Sequence, residues 1–234
     1  MIVSFEHRFA FVKVQKTAGT SIEVFLSQVA GPDAIVTPIN PPEPGHEARN
    51  FATSPAVAAD SGGSRGGSRR RRKSRPAPAD EPAFFNHMPA SLVRERLGSE
   101  TWDGLYRFCF ERNPWDKAVS FYFWRTRRLD VPPPFEAWAT TPGSLVSERS
   151  MYTVDDALVV DLVGRYETLT ADLRKMLDHV GVETSIALPR AKSEHRPVGE
   201  RTAIGAAADA VIRTEFAWEI EHFGYDRPDG IPWE

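Results

Sequence analysis

A lysine, a glycine and three hydroxyls stand within six residues at Lys16-Thr17-Ala18-Gly19-Thr20-Ser21. Before them runs Phe11-Val12-Lys13-Val14, β-branched and aromatic. After them Ile22, Phe25, Leu26 and Val29 share one face of a helical pattern. Strand, small-residue loop and helix together suit phosphate, because backbone N–H groups and the positive end of the helix dipole converge on an anion. Lys16 adds a full charge, and Thr17, Thr20 and Ser21 add hydroxyl donors. The order of residues excludes one common version. Nucleoside triphosphatases place glycines before the lysine of this loop, and no glycine precedes Lys16. A tight strand-to-helix turn without a ligand has the same outline, so a second site must decide the reading.

The run Leu105-Tyr106-Arg107-Phe108-Cys109-Phe110 reads as a buried strand, and a helix begins near Pro114. Arg112 therefore stands at the C-terminal end of a strand, where open α/β sheets bind ligands. Ser120 follows about two helical turns on. A guanidinium grips phosphate bidentately, and a hydroxyl adds a further bond. Alone, Arg112 is equally a structural ion pair. With the first loop, more can be said. Arg112-Asn113-Pro114-Trp115-Asp116-Lys117-Ala118-Val119-Ser120-Phe121-Tyr122 resembles the 3′-phosphate motif of sulfotransferases that use 3′-phosphoadenosine-5′-phosphosulfate (PAPS). Lys16 to Ser21 resembles their 5′-phosphosulfate loop. Arg112 and Ser120 match the arginine and serine that hold the 3′-phosphate in that family.

Three further stretches agree with this resemblance. Val163-Gly164-Arg165-Tyr166-Glu167-Thr168-Leu169 is similar to the family's third strand and following helix start, and Phe223-Gly224-Tyr225 to its C-terminal ending. Asn86-His87-Met88-Pro89-Ala90 is similar to the histidine-containing segment of the carbohydrate branch, typified by heparan-sulfate 2-O-sulfotransferases. The resemblance implies sulfonate transfer from PAPS to a hydroxyl or amine of a small-molecule or saccharide acceptor, with adenosine 3′,5′-bisphosphate (PAP) as product and no metal. It implies that Lys16, Thr17, Ala18, Gly19, Thr20 and Ser21 hold the 5′-phosphate, and that Lys16 also stabilises the leaving oxygen. Arg112 and Ser120 hold the 3′-phosphate. Arg196, in Ser193-Glu194-His195-Arg196, occupies the place of a late loop that closes over the nucleotide. His87 is the implied base. It also precedes a helix start, whose positive end favours the neutral imidazole a base requires. A carboxylate base, as in other sulfotransferases, stays open.

Two rival readings are distinguishable. A P-loop kinase or NTPase would share the architecture but needs a glycine-rich loop and a magnesium-binding aspartate; Asp155, Asp156 and Asp161 are the candidates for the latter. A nucleic-acid-binding protein would use the basic segment at 61–78, which carries Arg65, Arg69, Arg70, Arg71, Arg72, Lys73 and Arg75 and no acid. Its anionic partner is equally a lipid or an acidic glycan, and a solvated tether without a partner fits as well. Without those seven cations, 22 basic residues face 32 acidic ones, so the body of the protein is acidic.

The elements that must position these residues alternate. A strand over Leu158–Tyr166 is predicted from Val159, Val160, Leu162 and Val163. A helix follows from Leu169, Leu173, Met176, Leu177 and Val180, closed by Gly181. A last amphipathic helix spans Ile204 to Ile220. A short helix with Pro89 in its first turn ends before Gly98. This predicts an α/β fold, a three-layer P-loop-like sandwich with a central parallel sheet flanked by helices. One domain over 1–234 is expected, interrupted at about 40–83 by a Pro-, Gly- and Arg-rich insertion too polar to offset its ordering entropy. His46 falls in that insertion, a poor place for a preorganised catalyst. No apolar run approaches the ~20 residues of a bilayer span, and with Phe5-Glu6-His7-Arg8 interrupting the first apolar stretch no signal peptide is expected. A lone cysteine, Cys109, in an apolar strand reads as an inert core thiol and excludes an internal disulfide. A cytoplasmic protein is expected.

Overall fold

The computed structural model describes residues 1–53, 82–189 and 202–229. The chain begins with β1 (Ile2–Ser4), β2 (Phe9–Phe11), α1 (Gly19–Val29) and β3 (Ile35–Val36). Then come α2 (Ala90–Leu97), α3 (Ser99–Asp103), β4 (Tyr106–Glu111), α4 (Pro114–Thr126) and α5 (Phe135–Ala139). The last third holds β5 (Thr153–Val154), β6 (Ala157–Leu158), β7 (Leu162–Arg165), α6 (Leu169–His179), α7 (Ala206–Glu215) and α8 (Ala217–Phe223).

The central sheet has the order β3-β1-β2-β4-β7. β2 pairs parallel with β4, placing Phe11 opposite Phe108, and β4 pairs parallel with β7, placing Glu111 opposite Arg165. β1 is antiparallel to both β2 and β3. The sheet is thus mixed and mostly parallel. β1 departs from the predicted all-parallel order because only a short turn separates it from β2, and a parallel pair needs a crossover.

Side-chain alternation explains how helices come to cover both faces. Phe9, Phe11, Phe108 and Phe110 point to one face and pack with Ile22, Phe25 and Leu26 of α1 and Leu173, Met176 and Leu177 of α6. Burial of one such side chain stabilises by about 1.5–3 kcal/mol. Ala10, Val12 and Cys109 point to the other face, against Val93 and Leu97 of α2 and Trp102 of α3. Burial pushes the Cys109 thiol well above its ordinary pKa, in keeping with an inert core thiol. Trp115, Val119 and Tyr122 of α4 form a third cluster with Phe135, Ile212 and Phe216.

Three boundaries differ from the sequence reading. The predicted strand over Leu158–Tyr166 is shorter. Leu158 belongs instead to a β5–β6 hairpin whose turn residues, Asp155 and Asp156, have φ of 49° and 62°, the sense that matches strand twist. The last helix breaks at Phe216, where the backbone leaves helical values at φ −112° and ψ 24°. The predicted insertion is ordered over its first part. Arg49 pairs with Val36 and donates to the carbonyls of Ser27 and Gly31, at 2.9 and 2.8 Å. Asn50 donates to Pro32 and Ala34. These bonds satisfy carbonyls in the last turn of α1 and in the connection to β3, a tertiary use that composition cannot reveal. The Arg-rich run lies outside the described residues.

Candidate functional site

β2 leads through Val12-Lys13-Val14 into a loop that turns sharply at Lys16 and Ala18, both left-handed at φ 63° and 60°. α1 begins at Gly19, and its first N–H groups have no intrahelical partner. Left-handed residues before a helix start aim successive N–H groups into one concavity. Lys16, Ala18 and Thr20 are half-buried and form the outer surface of the loop, whereas Thr17, Gly19 and Ser21 are buried. The Thr17 hydroxyl turns inward and donates to the Val14 carbonyl at 3.0 Å.

Gly19 is required by what lies beneath it. A Cβ there would come within 2.7 Å of Lys13 Cγ. The Lys13 stem passes under the loop and its ammonium pairs with Glu23 of α1, which also meets the Met1 amino group. Burial alone would raise the Glu23 carboxyl; the two cations outweigh it and hold the carboxyl below its usual range.

Arg112 follows β4 and is 7% exposed. Its Nε and Nη2 donate to Asp116 at 2.8 and 2.5 Å, and its Nη1 donates to the Lys16 carbonyl at 3.1 Å. The guanidinium lies over the Tyr166 ring at 4.0 Å. One N–H on each terminal nitrogen has no protein partner among the described residues. Arg112 and the Lys16 loop are therefore in direct contact, although they lie far apart in sequence. Ser120 is half-buried on α4; no hydrogen bond joins it to Arg112 among the described residues. Asn113 caps α4 by accepting from the Trp115 N–H at 3.2 Å, with Pro114 in the first turn.

His87 reaches the strand that feeds the loop. Its Nδ1 lies 3.0 Å from the Lys13 carbonyl. A carbonyl only accepts, so Nδ1 carries the proton and Nε2 holds the lone pair. Burial, then the Lys13 charge, lowers its pKa to about 4, which keeps the imidazole neutral at pH 7. The unfolded value is near 6.5, so the unfolded chain binds the extra proton first. Stability from this site is complete above pH 6.5 and falls as pH drops toward 4, by about 3 kcal/mol in all. His87→Asn, which keeps a donor near Nδ1, is expected to flatten that pH dependence in urea unfolding; an unchanged slope between pH 4 and 6.5 would show that His87 titrates normally.

Several participants lack a local sequence signal. Trp124 places its ring 5.6 Å from the Lys16 ammonium, with the Arg125 and Arg127 guanidinium groups at 5.3 and 4.5 Å. His46, placed by composition in a flexible insertion, is half-buried, and burial lowers its pKa first among several causes. Glu148 accepts from the Gln15 N–H at 3.1 Å. Arg196 lies outside the described residues. Among the described residues no cluster of histidine, cysteine or carboxylates could hold a metal ion, and no helix is long and apolar enough to cross a membrane.

No family model matches the chain, and no solved structure matches it. It is 33% identical over 109 residues to an uncharacterized protein of Archaeoglobus fulgidus, an alignment that covers 41% of this chain and 83% of the relative. With most of that relative's length aligned at this identity, the chain belongs to the same family as the archaeal protein.

Proposed function

We propose that the protein is a cytoplasmic sulfotransferase that moves a sulfonate group from PAPS to an acceptor hydroxyl, with a saccharide as the favoured acceptor class. The contact between Arg112 Nη1 and the Lys16 carbonyl carries this reading. It joins the two motifs at the C-terminal ends of adjacent parallel strands, where one nucleotide bearing both 5′- and 3′-phosphates would touch both. The outer face of the loop, with the Lys16 ammonium and the N–H groups before α1, suits the 5′-phosphate. The two remaining N–H groups of Arg112 and the Ser120 hydroxyl suit the 3′-phosphate. Asp116 already shares the Arg112 fork, which limits how far the guanidinium reaches.

The acceptor oxygen forms a bond to sulfur as the bond from sulfur to the 5′-phosphate oxygen breaks, in line. His87 receives the acceptor proton at Nε2. Lys16 meets the charge that develops on the departing phosphate oxygen. A base with so low a pKa is weak in the free protein, and the negative charge of a bound nucleotide raises it toward the working range.

Calorimetry with PAP tests the reading. PAP is expected to bind in EDTA as well as in magnesium. Absence of PAP binding, together with magnesium-dependent ATP binding, would replace the sulfotransferase with a kinase or NTPase. Label transferred from PAPS into a component of cell extract would then identify the acceptor.

A further inference from the structure

A buried charge cluster lies behind both motifs. Lys117 of α4 is fully buried, and its ammonium lies 3.0 Å from both Glu111 oxygens and 3.8 Å from Glu148 Oε2. Each carboxylate also accepts a backbone N–H next to a motif. Glu111 Oε2 takes the Arg112 N–H at 3.0 Å, and Glu148 Oε2 takes the Gln15 N–H, directly before Lys16, at 3.1 Å. A single ammonium thus ties the backbone of the Lys16 loop to that of Arg112.

We propose that Glu148 is a positioning residue that fixes the Lys16 loop against Arg112 and takes up a proton from solvent when an anion occupies the loop. The proposal rests on the phosphate-binding reading for its ligand, while the positioning stands on the backbone bond itself. The charged groups facing Glu148 are Lys117 from α4 and Glu111 from β4, with the Gln15 N–H from the loop. Glu219 of α8 enters the same region through the Ser147 hydroxyl, which donates to it. Two carboxylates share one ammonium, so the second of them is poorly compensated. Burial first, and Glu111 with it, raises the Glu148 carboxyl, against the opposing pull of Lys117. An added anion pushes it in the same direction, so protonation of Glu148 and anion binding favour each other. A protonated carboxyl keeps a carbonyl oxygen for the Gln15 N–H, so the loop is held in either state.

Glu148→Ala and Glu148→Gln separate these roles, with PAP as the probe. Glu148→Ala is expected to weaken PAP binding about tenfold and to accelerate hydrogen exchange at the Gln15 amide. Glu148→Gln keeps an acceptor and is expected to stay within about threefold of wild type and to retain Gln15 protection. Wild type is expected to take up more protons on binding PAP than Glu148→Gln, a difference that cancels the titration of PAP itself. Gln15 exchange unchanged in Glu148→Ala would overturn the positioning role, and equal proton uptake in wild type and Glu148→Gln would overturn the coupling. Failure of wild type to bind PAP would overturn the nucleotide reading and the coupling with it, and Gln15 exchange would still judge the positioning.

Discussion

Lys117→Met is expected to destabilise the protein by about 3–5 kcal/mol, the usual cost of removing one partner from a buried ion pair. Lys117 has no solvent exposure, and Glu111 is 1% exposed. Methionine matches the stem in length and leaves little cavity, so the loss would come from stranding Glu111 and Glu148 without their cation. Urea unfolding at pH 7 measures it. Adding Glu111→Gln is expected to recover a large part, because it removes one of the stranded charges; double-mutant analysis isolates that term. A loss below 1 kcal/mol for Lys117→Met would show that the carboxyls are neutral or hydrated and that the cluster does not hold the fold.

Lys16→Ala is expected to lower sulfonate transfer by about 10²–10³-fold, the range seen when one preorganised donor to a developing negative charge is removed. Its effect on stability is expected to be small, since the side chain is half-buried and lies against the Trp124 ring rather than in the core. The left-handed φ of 63° at this position adds a constraint, as alanine tolerates it no better than lysine does. Label incorporation from PAPS into extract components, alongside a melting curve, reads both effects. Turnover near wild type with intact folding would remove Lys16 from the chemistry. PAP affinity falling much less than turnover would place its contribution on the departing oxygen rather than on ground-state binding.

The two variants probe different distances along the chain, and legibility in the sequence follows the same division. The start of α4 near Pro114 and the stop of α2 before Gly98 were readable because proline and glycine signals act within one turn; the Asn113 cap on α4 emerged only in the structure. The amphipathic faces of α1 and α6 were readable from spacing, because burial of one stripe dictates it. The antiparallel pairing of β1 with β2 follows from the short turn between them, a local cue the parallel-sheet expectation passed over. The pairing of β1 with β3 was not readable, since β3 lies beyond α1 in the chain. Nor was the order of residues 40–53, where Arg49 and Asn50 find carbonyls around α1 and β3. Composition measures how much apolar surface a segment brings, and it is silent on polar partners supplied by another segment.

The same holds at the candidate site. Residue types and order alone single out Lys16, the small-residue loop and Arg112 as candidates for anion chemistry, because charge, donors and backbone freedom are local properties. Tertiary structure alone decided that the Thr17 hydroxyl faces inward, that His87 rests its Nδ1 on the Lys13 carbonyl, and that Asp116 shares the Arg112 fork. It also decided that Glu148 accepts the Gln15 N–H from 133 residues away. Hydrogen bonds act over about 3 Å whatever the separation along the chain, so only the folded backbone determines which donors and acceptors meet.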